Sequence, residues 1–243
     1  MTPVPIYILH WKRLHFLERV LQEIVERTDY PYTLNLFVNE ANATQVQPLL
    51  ALYEKYSIQS LTLDRRNTGC LYPKAIHQAS TTIDTPYYVV TDDDQCPPVI
   101  AKNGCWLTQL IECMNRNDHI GCIAAQQPPQ CLQEPYATYS DYIACKAVGN
   151  NLKVVRTKAW PSKWQQSLGA YGDDSILCSL LKEKGYTTAF SRSVYSLHLQ
   201  HCANWGYDPA DLHKDPRKAG YNQPYEYAYD PLTYVPVDVA LRM

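Results

Sequence analysis

Two hydrophobic rhythms alternate along the first half of the chain. Ile6-Tyr7-Ile8-Leu9 is an unbroken apolar run and predicts a strand. From Leu14 to Arg27 the apolar positions are Leu14, Leu17, Val20, Leu21, Ile24 and Val25, the spacing of a helix with one buried stripe. Asp29-Tyr30-Pro31 ends that period. Leu34-Asn35-Leu36-Phe37-Val38 predicts a second strand, Val46 to Tyr56 a helix, and Leu61-Thr62-Leu63 a short strand. Pro73 to Ser80 predicts the start of a further helix, ahead of the apolar run Tyr87-Tyr88-Val89-Val90-Thr91. Strands separated by helices imply βαβ units, hence an α/β domain whose mainly parallel central sheet is flanked by helices.

The second half continues less regularly. Gly104 to Asn115 predicts a helix and Ile120 to Ala125 a strand. Gln126 to Tyr142 is rich in Pro, Gln and Tyr without a period, and reads as a loop or irregular excursion. Asn151 to Arg156 predicts a strand, Ser175 to Lys184 a helix stopped by Gly185, and Thr187 to Leu199 a return to strand. From Asn204 the chain is polar and dense in Tyr and Pro. With no internal repeat and no linker, the expected organisation is one domain over 1–203, with an irregular extension over 204–243 packed on it.

Composition narrows the classes. Hydrophobic residues make up 46% of 243, enough for a sizeable core. Lys plus Arg number 22 against 24 Asp plus Glu, a balance that argues against a broad basic surface for nucleic acid. No apolar run approaches the ~20 residues of a membrane span. Met1-Thr2-Pro3-Val4-Pro5 lacks the charged head and apolar stretch of a signal peptide. The nine cysteines are odd in number, contain no C-x-x-C pair and lie in mostly apolar surroundings, so buried reduced thiols are expected rather than a disulfide scaffold. The expected location is the cytoplasm, with action on a soluble acceptor or at a membrane face.

The candidate chemistry starts at Asp92-Asp93-Asp94, which ends the Tyr87–Thr91 run. If strand geometry persists through the triplet, Asp92 and Asp94 share a face and Asp93 points opposite. Like charges at a strand tip need compensation, and a hard cation such as Mg²⁺ or Mn²⁺ suits carboxylates and phosphates together. An acidic turn on a solvated surface explains the same residues. In an open parallel sheet ligands bind beyond the carboxyl ends of the strands. The loops after Leu9, Val38, Leu63 and Thr91 would share that rim, which favours the cation.

Five segments, in order, resemble nucleotide-sugar glycosyltransferases of the family 2 type with the GT-A fold. They are Ile6 to Leu21; Phe37-Val38-Asn39-Glu40, where the family has Val-Asp-Asp; Asn67-Thr68-Gly69 followed by Lys74; Asp92-Asp93-Asp94; and Tyr171-Gly172-Asp173-Asp174 ahead of Cys178, Leu181 and Lys184-Gly185-Tyr186. The likeness covers roughly Val4 to Leu199. It implies a metal-dependent inverting transfer of a sugar from a nucleotide-diphosphate donor to a hydroxyl of a glycan, glycolipid or protein-linked sugar, with Mn²⁺ or Mg²⁺ as cofactor.

The resemblance also distributes roles. Asp94 and His198 are the implied metal ligands, with His201 competing for the second place. Asp92 is implied to meet the ribose or a metal-bound water, and Asp93 to combine a donor-side position with a structural role. Asp174 is the implied base and Asp173, in place of the family's Glu, its helper; an Asp before the Ser175 helix also suits a cap. Lys74, or Arg66 and Arg65 on the same rim, would neutralise diphosphate. Asn39 stands where the family has an Asp that reads the base, and offers both a donor and an acceptor. His10 and Trp11 end the first strand and could line the base pocket, although Trp11 fits a core position equally. Trp160, Trp164, Tyr171 and Trp205 are acceptor-side candidates for stacking on sugar faces, with plain packing as the alternative. Other readings stay open: a sugar nucleotidyltransferase, disfavoured by the bulky His10-Trp11-Lys12-Arg13 where a Gly-rich phosphate loop would be; a non-catalytic carbohydrate-binding protein, favoured by Asn39 and Asp173; and, remotely, a zinc module on His198, His201 and Cys202.

Overall fold

The computed structural model describes residues 2–64, 84–126, 135–160 and 173–199, with the backbone alone at 173–176. The helix expected at Pro73–Ser80 and the 204–243 extension lie outside these residues. The alternation continues as expected: β1 (Val4–His10), α1 (Leu14–Arg27), β2 (Tyr32–Val38), α2 (Ala43–Lys55), β3 (Ser60–Leu63) and β4 (Tyr87–Asp92). A two-residue β5 (Gln95–Cys96) follows, then α3 (Trp106–Arg116), β6 (Ile120–Gln126), β7 (Pro135–Thr138), β8 (Tyr142–Cys145), β9 (Lys153–Arg156), α4 (Asp173–Glu183), β10 (Thr187–Tyr195) and β11 (Leu197–His198).

The main sheet has the order β3-β2-β1-β4-β9-β6-β10-β8-β7. Strands β3, β2, β1 and β4 are mutually parallel, and so are β6 and β10. β9 enters antiparallel between β4 and β6, so β4 and β6 still run the same way. The result is the expected α/β domain with an antiparallel strand at its seam and an antiparallel β8–β7 margin. That margin lies partly in the stretch expected to be irregular. Pro135 can open β7 because an edge strand tolerates a missing N–H. Tyr142-Ile143-Ala144-Cys145 is too short to announce itself by period.

Each face of the sheet has its own core. Tyr87 and Val89 point into a core shared with α1, α2 and α3; Tyr88 and Val90 point into a second, shared with α4. On α1 the stripe Phe16, Leu17, Val20, Leu21 and Ile24 is buried. Each such large apolar side chain contributes about 1.5–3 kcal/mol by leaving water. α2 begins three residues earlier than its apolar pattern, because Asn42 and Gln45 form a reciprocal capping box. Pro48 then sits inside the helix, where it forgoes one backbone bond.

α4 packs Leu177, Cys178, Leu180 and Leu181 on the second core. It hands over to β10 through Gly185, whose φ of 83° favours glycine. β10 starts beside the start of β6, at Thr187 against Ile120. The N-terminal end of α4 therefore points toward the rim at which β4 and β6 end.

Among the described residues six cysteines are free and buried: Cys96, Cys105, Cys113, Cys122, Cys145 and Cys178. Burial pushes the Cys113 and Cys145 thiols up to about 11, and Cys96 higher still. Thiolate is the reactive form. A variant with Cys70, Cys131 and Cys202 changed to Ser is therefore expected to leave a disulfide reagent unreacted at pH 8 while native, and to release six equivalents on denaturation. A thiol titration with and without guanidinium checks this.

Candidate active site at the carboxyl rim of the sheet

Strands β1, β2 and β4 end side by side. Leu9 lies in register with Asp92, and His10 with Val38. Two non-glycine residues just past these ends, Lys12 and Glu40, have φ of 66° and 57°. Left-handed backbone at such residues is uncommon and concentrates where a site demands it. Their side chains pair at 3.3 Å, and Trp11 Nε1–H donates to Glu40 at 2.8 Å. Trp11 is 37% exposed with the Lys12 ammonium 4.7 Å from its ring centre, so it belongs to the rim and not to the core. His10, by contrast, is fully buried. Asn39 is buried beside it, its amide N–H bonded to the His10 carbonyl at 2.9 Å.

The triplet departs from simple alternation. β4 ends at Asp92, and Asp93-Asp94 form the turn into β5. The expected opposition of Asp93 and Asp94 is thereby lost: the turn lets both buried carboxylates reach one guanidinium. Arg13 Nη2–H donates to Asp93 Oδ1 at 2.8 Å and Nη1–H to Asp94 Oδ2 at 2.9 Å. Asp93 also lies 2.6 Å from His10 Nδ1 and accepts the Trp11 amide at 3.2 Å. These contacts tie it to the end of β1 and to the backbone just past it. Asp92 points to the α4 face. Its side chain accepts from Asn150 Nδ2–H at 3.3 Å, and its amide donates to the Asn150 carbonyl at 3.2 Å.

β11 brings the last strand segment onto the triplet. His198 pairs with Gln95 and Leu197 with Cys96, antiparallel. Ser196 Oγ–H donates to Gln95 at 3.0 Å, and the Leu199 amide donates to the Asp94 carbonyl at 2.8 Å. His198 Nε2 thereby comes within 3.2 Å of Asp94 Oδ2, across 104 residues of sequence. Burial alone would raise the Asp94 carboxyl. The His198 and Arg13 charges outweigh it and hold Asp94 well below the usual carboxylate range.

This donor set fits a divalent cation. An anionic oxygen and an imidazole nitrogen stand 3.2 Å apart, close to the roughly 3 Å edge of an octahedron with bonds near 2.1 Å. Mixed oxygen and nitrogen donors suit Mn²⁺ better than Mg²⁺, which prefers oxygen alone. Among the described residues no group of three or more His, Cys, Asp and Glu converges. The remaining positions on such a cation would fall to water and to a ligand's oxygens.

Of the expected site residues, His10, Trp11, Asn39, Asp92, Asp93, Asp94 and His198 gather on this rim. Asp173 and Asp174 are the first two residues of α4. The helix thus starts two residues before the expected Ser175, and both positions fall in its first turn. Arg65, Arg66, Lys74, Trp164, Tyr171, His201 and Trp205 lie outside the described residues. Trp160 is 8% exposed, with its ring centre 5.7 Å from that of Tyr88. It is a core residue, and its ring is no open sugar platform. Sequence reasoning missed Arg13 and Asn150. Arg13, the last residue before the apolar stripe of α1, carried a positional signal, whereas Asn150 carried none.

Comparison with family models and with curated proteins finds no match. Solved structures do match. GalNAc-T7 with UDP, GalNAc and Mn²⁺ superposes with a TM-score of 0.60 at 11% identity, over 81% of this chain and 43% of that one. The mannosyltransferase PcManGT from Pyrobaculum calidifontis, in complex with GDP-Man and Mn²⁺, gives 0.53 at 15% identity, over 90% and 69%. S. aureus TarS 1-349 with UDP-GlcNAc gives 0.54 at 12% identity, over 92% and 72%. These likenesses establish a GT-A-type single-domain fold. The chain spans less than half the length of GalNAc-T7.

Proposed function

We propose that this protein is a family 2-type glycosyltransferase that moves a sugar, with inversion, from a nucleotide-diphosphate donor to an acceptor hydroxyl. The observation that carries the reading is the meeting of Asp94 Oδ2 and His198 Nε2 at 3.2 Å, on the strand-end rim of a GT-A-type sheet. Asp94 and His198 would hold Mn²⁺ or Mg²⁺, and the cation would stabilise charge that builds on the departing diphosphate. Support comes from the structural neighbours, two of which hold Mn²⁺ and three of which hold a nucleotide or nucleotide sugar.

The remaining roles combine places on the rim with the family resemblance. His10 fixes Asp93, and Asp93 in turn fixes the backbone at Trp11. Trp11 and Asn39 flank the space beyond β1 and β2, where a nucleoside base would lie. Asp92 would meet the ribose, and Lys74 or Arg66 the diphosphate. The acceptor oxygen attacks the anomeric carbon while its bond to the diphosphate oxygen breaks; the bonding pair leaves with the nucleoside diphosphate. Asp174 would take the acceptor proton, assisted by Asp173. The acceptor would be a glycan, a glycolipid or a protein-linked sugar, met in the cytoplasm or at a membrane face. Among the described residues no helix is long and apolar enough to cross a membrane.

A thermal-shift screen of UDP, GDP and their sugar conjugates with Mn²⁺ tests the reading. A cognate ligand at a hundred times its Kd is expected to raise the melting temperature by about 5–10 °C. Removal of Mn²⁺ with a chelator is expected to cancel most of that gain. No shift with any nucleotide, with or without metal, would sink the proposal. Release of diphosphate from a nucleoside triphosphate and a sugar phosphate would instead favour nucleotidyl transfer.

A further inference from the structure

We infer that Arg13 is a donor-binding residue that competes with the metal for Asp94 and passes to the donor's diphosphate when the metal binds. The inference rests on the glycosyl-transfer reading above, and it concerns a residue to which that reading assigns no part.

Two adjacent buried carboxylates repel each other, and a cation between them offsets that repulsion. Arg13 supplies it: its two terminal nitrogens reach Asp93 Oδ1 and Asp94 Oδ2 separately, at 2.8 and 2.9 Å. The two carboxylates are not equivalent. Asp93 is also held by the His10 ring and the Trp11 amide. It keeps its position if the guanidinium shifts. On Asp94, Oδ2 faces both His198 Nε2 and Arg13 Nη1, which takes up its two lone-pair directions. A cation that binds between Asp94 and His198 needs that same oxygen. The imidazole can turn from donor to ligand through the same Nε2 once the Nε2 proton passes to Nδ1 or to solvent. The guanidinium has no lone pair to offer a cation and must let go of Oδ2.

The release has a direction. The Arg13 side chain is 26% exposed, whereas those of Asp93 and Asp94 are 1% and 3% exposed. The guanidinium therefore forms the solvent side of the cluster, the side from which a ligand arrives. Tethered through Nη2 to Asp93, it would swing Nη1 outward with its charge intact. A guanidinium fork matches phosphate oxygens, and two such bonds are stronger than two neutral ones. Metal entry would thus create a diphosphate contact that is blocked beforehand. Metal and nucleotide would each tighten the other's binding by the same factor.

The test is Arg13→Gln, with Mn²⁺ binding followed by calorimetry or by the Mn²⁺ resonance signal, and UDP and GDP as nucleotide probes. Without nucleotide, the variant is expected to bind Mn²⁺ at least about fivefold more tightly than the parent, because the competitor is gone. With Mn²⁺ saturating, it is expected to bind the nucleoside diphosphate at least about fivefold more weakly. Opposite signs for the two ligands are not produced by general loosening of the site. Mn²⁺ binding that is unchanged or weaker in the variant overturns the inference, and so does unchanged diphosphate binding. Should Arg13→Gln fail to fold, Arg13→Lys keeps the charge but cannot bridge both carboxylates. It is expected to show the same signs at smaller size, and identical behaviour to the parent overturns the inference. A parent protein that binds neither Mn²⁺ nor either nucleotide fails the glycosyl-transfer reading itself, a result distinct from a change confined to the variant.

Discussion

Asp94→Asn is expected to reduce sugar transfer by about 10²- to 10³-fold, the scale of losing one preorganised charge-stabilising group. The substitution preserves shape and removes the charge that Arg13 and His198 converge on. A neutral amide is a poor ligand for Mn²⁺, so the loss should appear first as Mn²⁺-dependent nucleotide binding. The fold should persist, because Asp93 remains to pair with Arg13. Measuring nucleotide affinity against Mn²⁺ concentration, next to a melting curve, separates the two effects. Wild-type nucleotide affinity in Asp94→Asn would remove Asp94 from the site.

Asp174→Asn is expected to reduce turnover by about 10²- to 10⁴-fold while leaving donor binding within about twofold, the signature of a lost general base. Asp174 is the second residue of α4, whose N-terminal end points toward the rim. A purely helix-stabilising part, through the helix dipole, would cost only about 0.3–1 kcal/mol of stability and spare turnover. Single-turnover rates at saturating donor and acceptor decide between them. Asp173→Asn serves as the comparison, with a smaller loss expected from a helper. Full activity in Asp174→Asn would transfer the base assignment elsewhere.

The layout of the fold was legible because period carries it. Leu14–Arg27 was read with the bounds the helix has. The opening strands and their order of alternation followed from apolar runs and breaks. Three features were not legible. β9 runs antiparallel at the centre of the sheet, and strand direction leaves no mark on a four-residue run. β7 is short enough to hide in a polar, Tyr-rich stretch. α2 starts at its capping box and not at its first apolar residue, since a cap is set by hydrogen bonds to the backbone.

At the site the division is sharper. Three consecutive carboxylates after an apolar strand told of a charge in need of a cation, and family resemblance drew attention to His198. Composition could not say that Asp93 and Asp94 would share one guanidinium. That follows from β4 ending at Asp92, which turns two neighbours toward Arg13 where a continued strand would have set them apart. Arg13 was only a bulky residue in a run that lacked glycine.

By itself, then, the sequence determined most of the described elements, the α/β class and the rim on which the acidic triplet would lie, because local spacing and charge are properties of neighbouring residues. Only the tertiary structure decided which charges meet. His10, Arg13 and His198 reach the triplet across 83, 81 and 104 residues. Those meetings depend on β1 lying beside β4 and on β11 zipping onto β5. Pairing across such separations is set by how the whole chain packs its two cores, and no window of the sequence contains it.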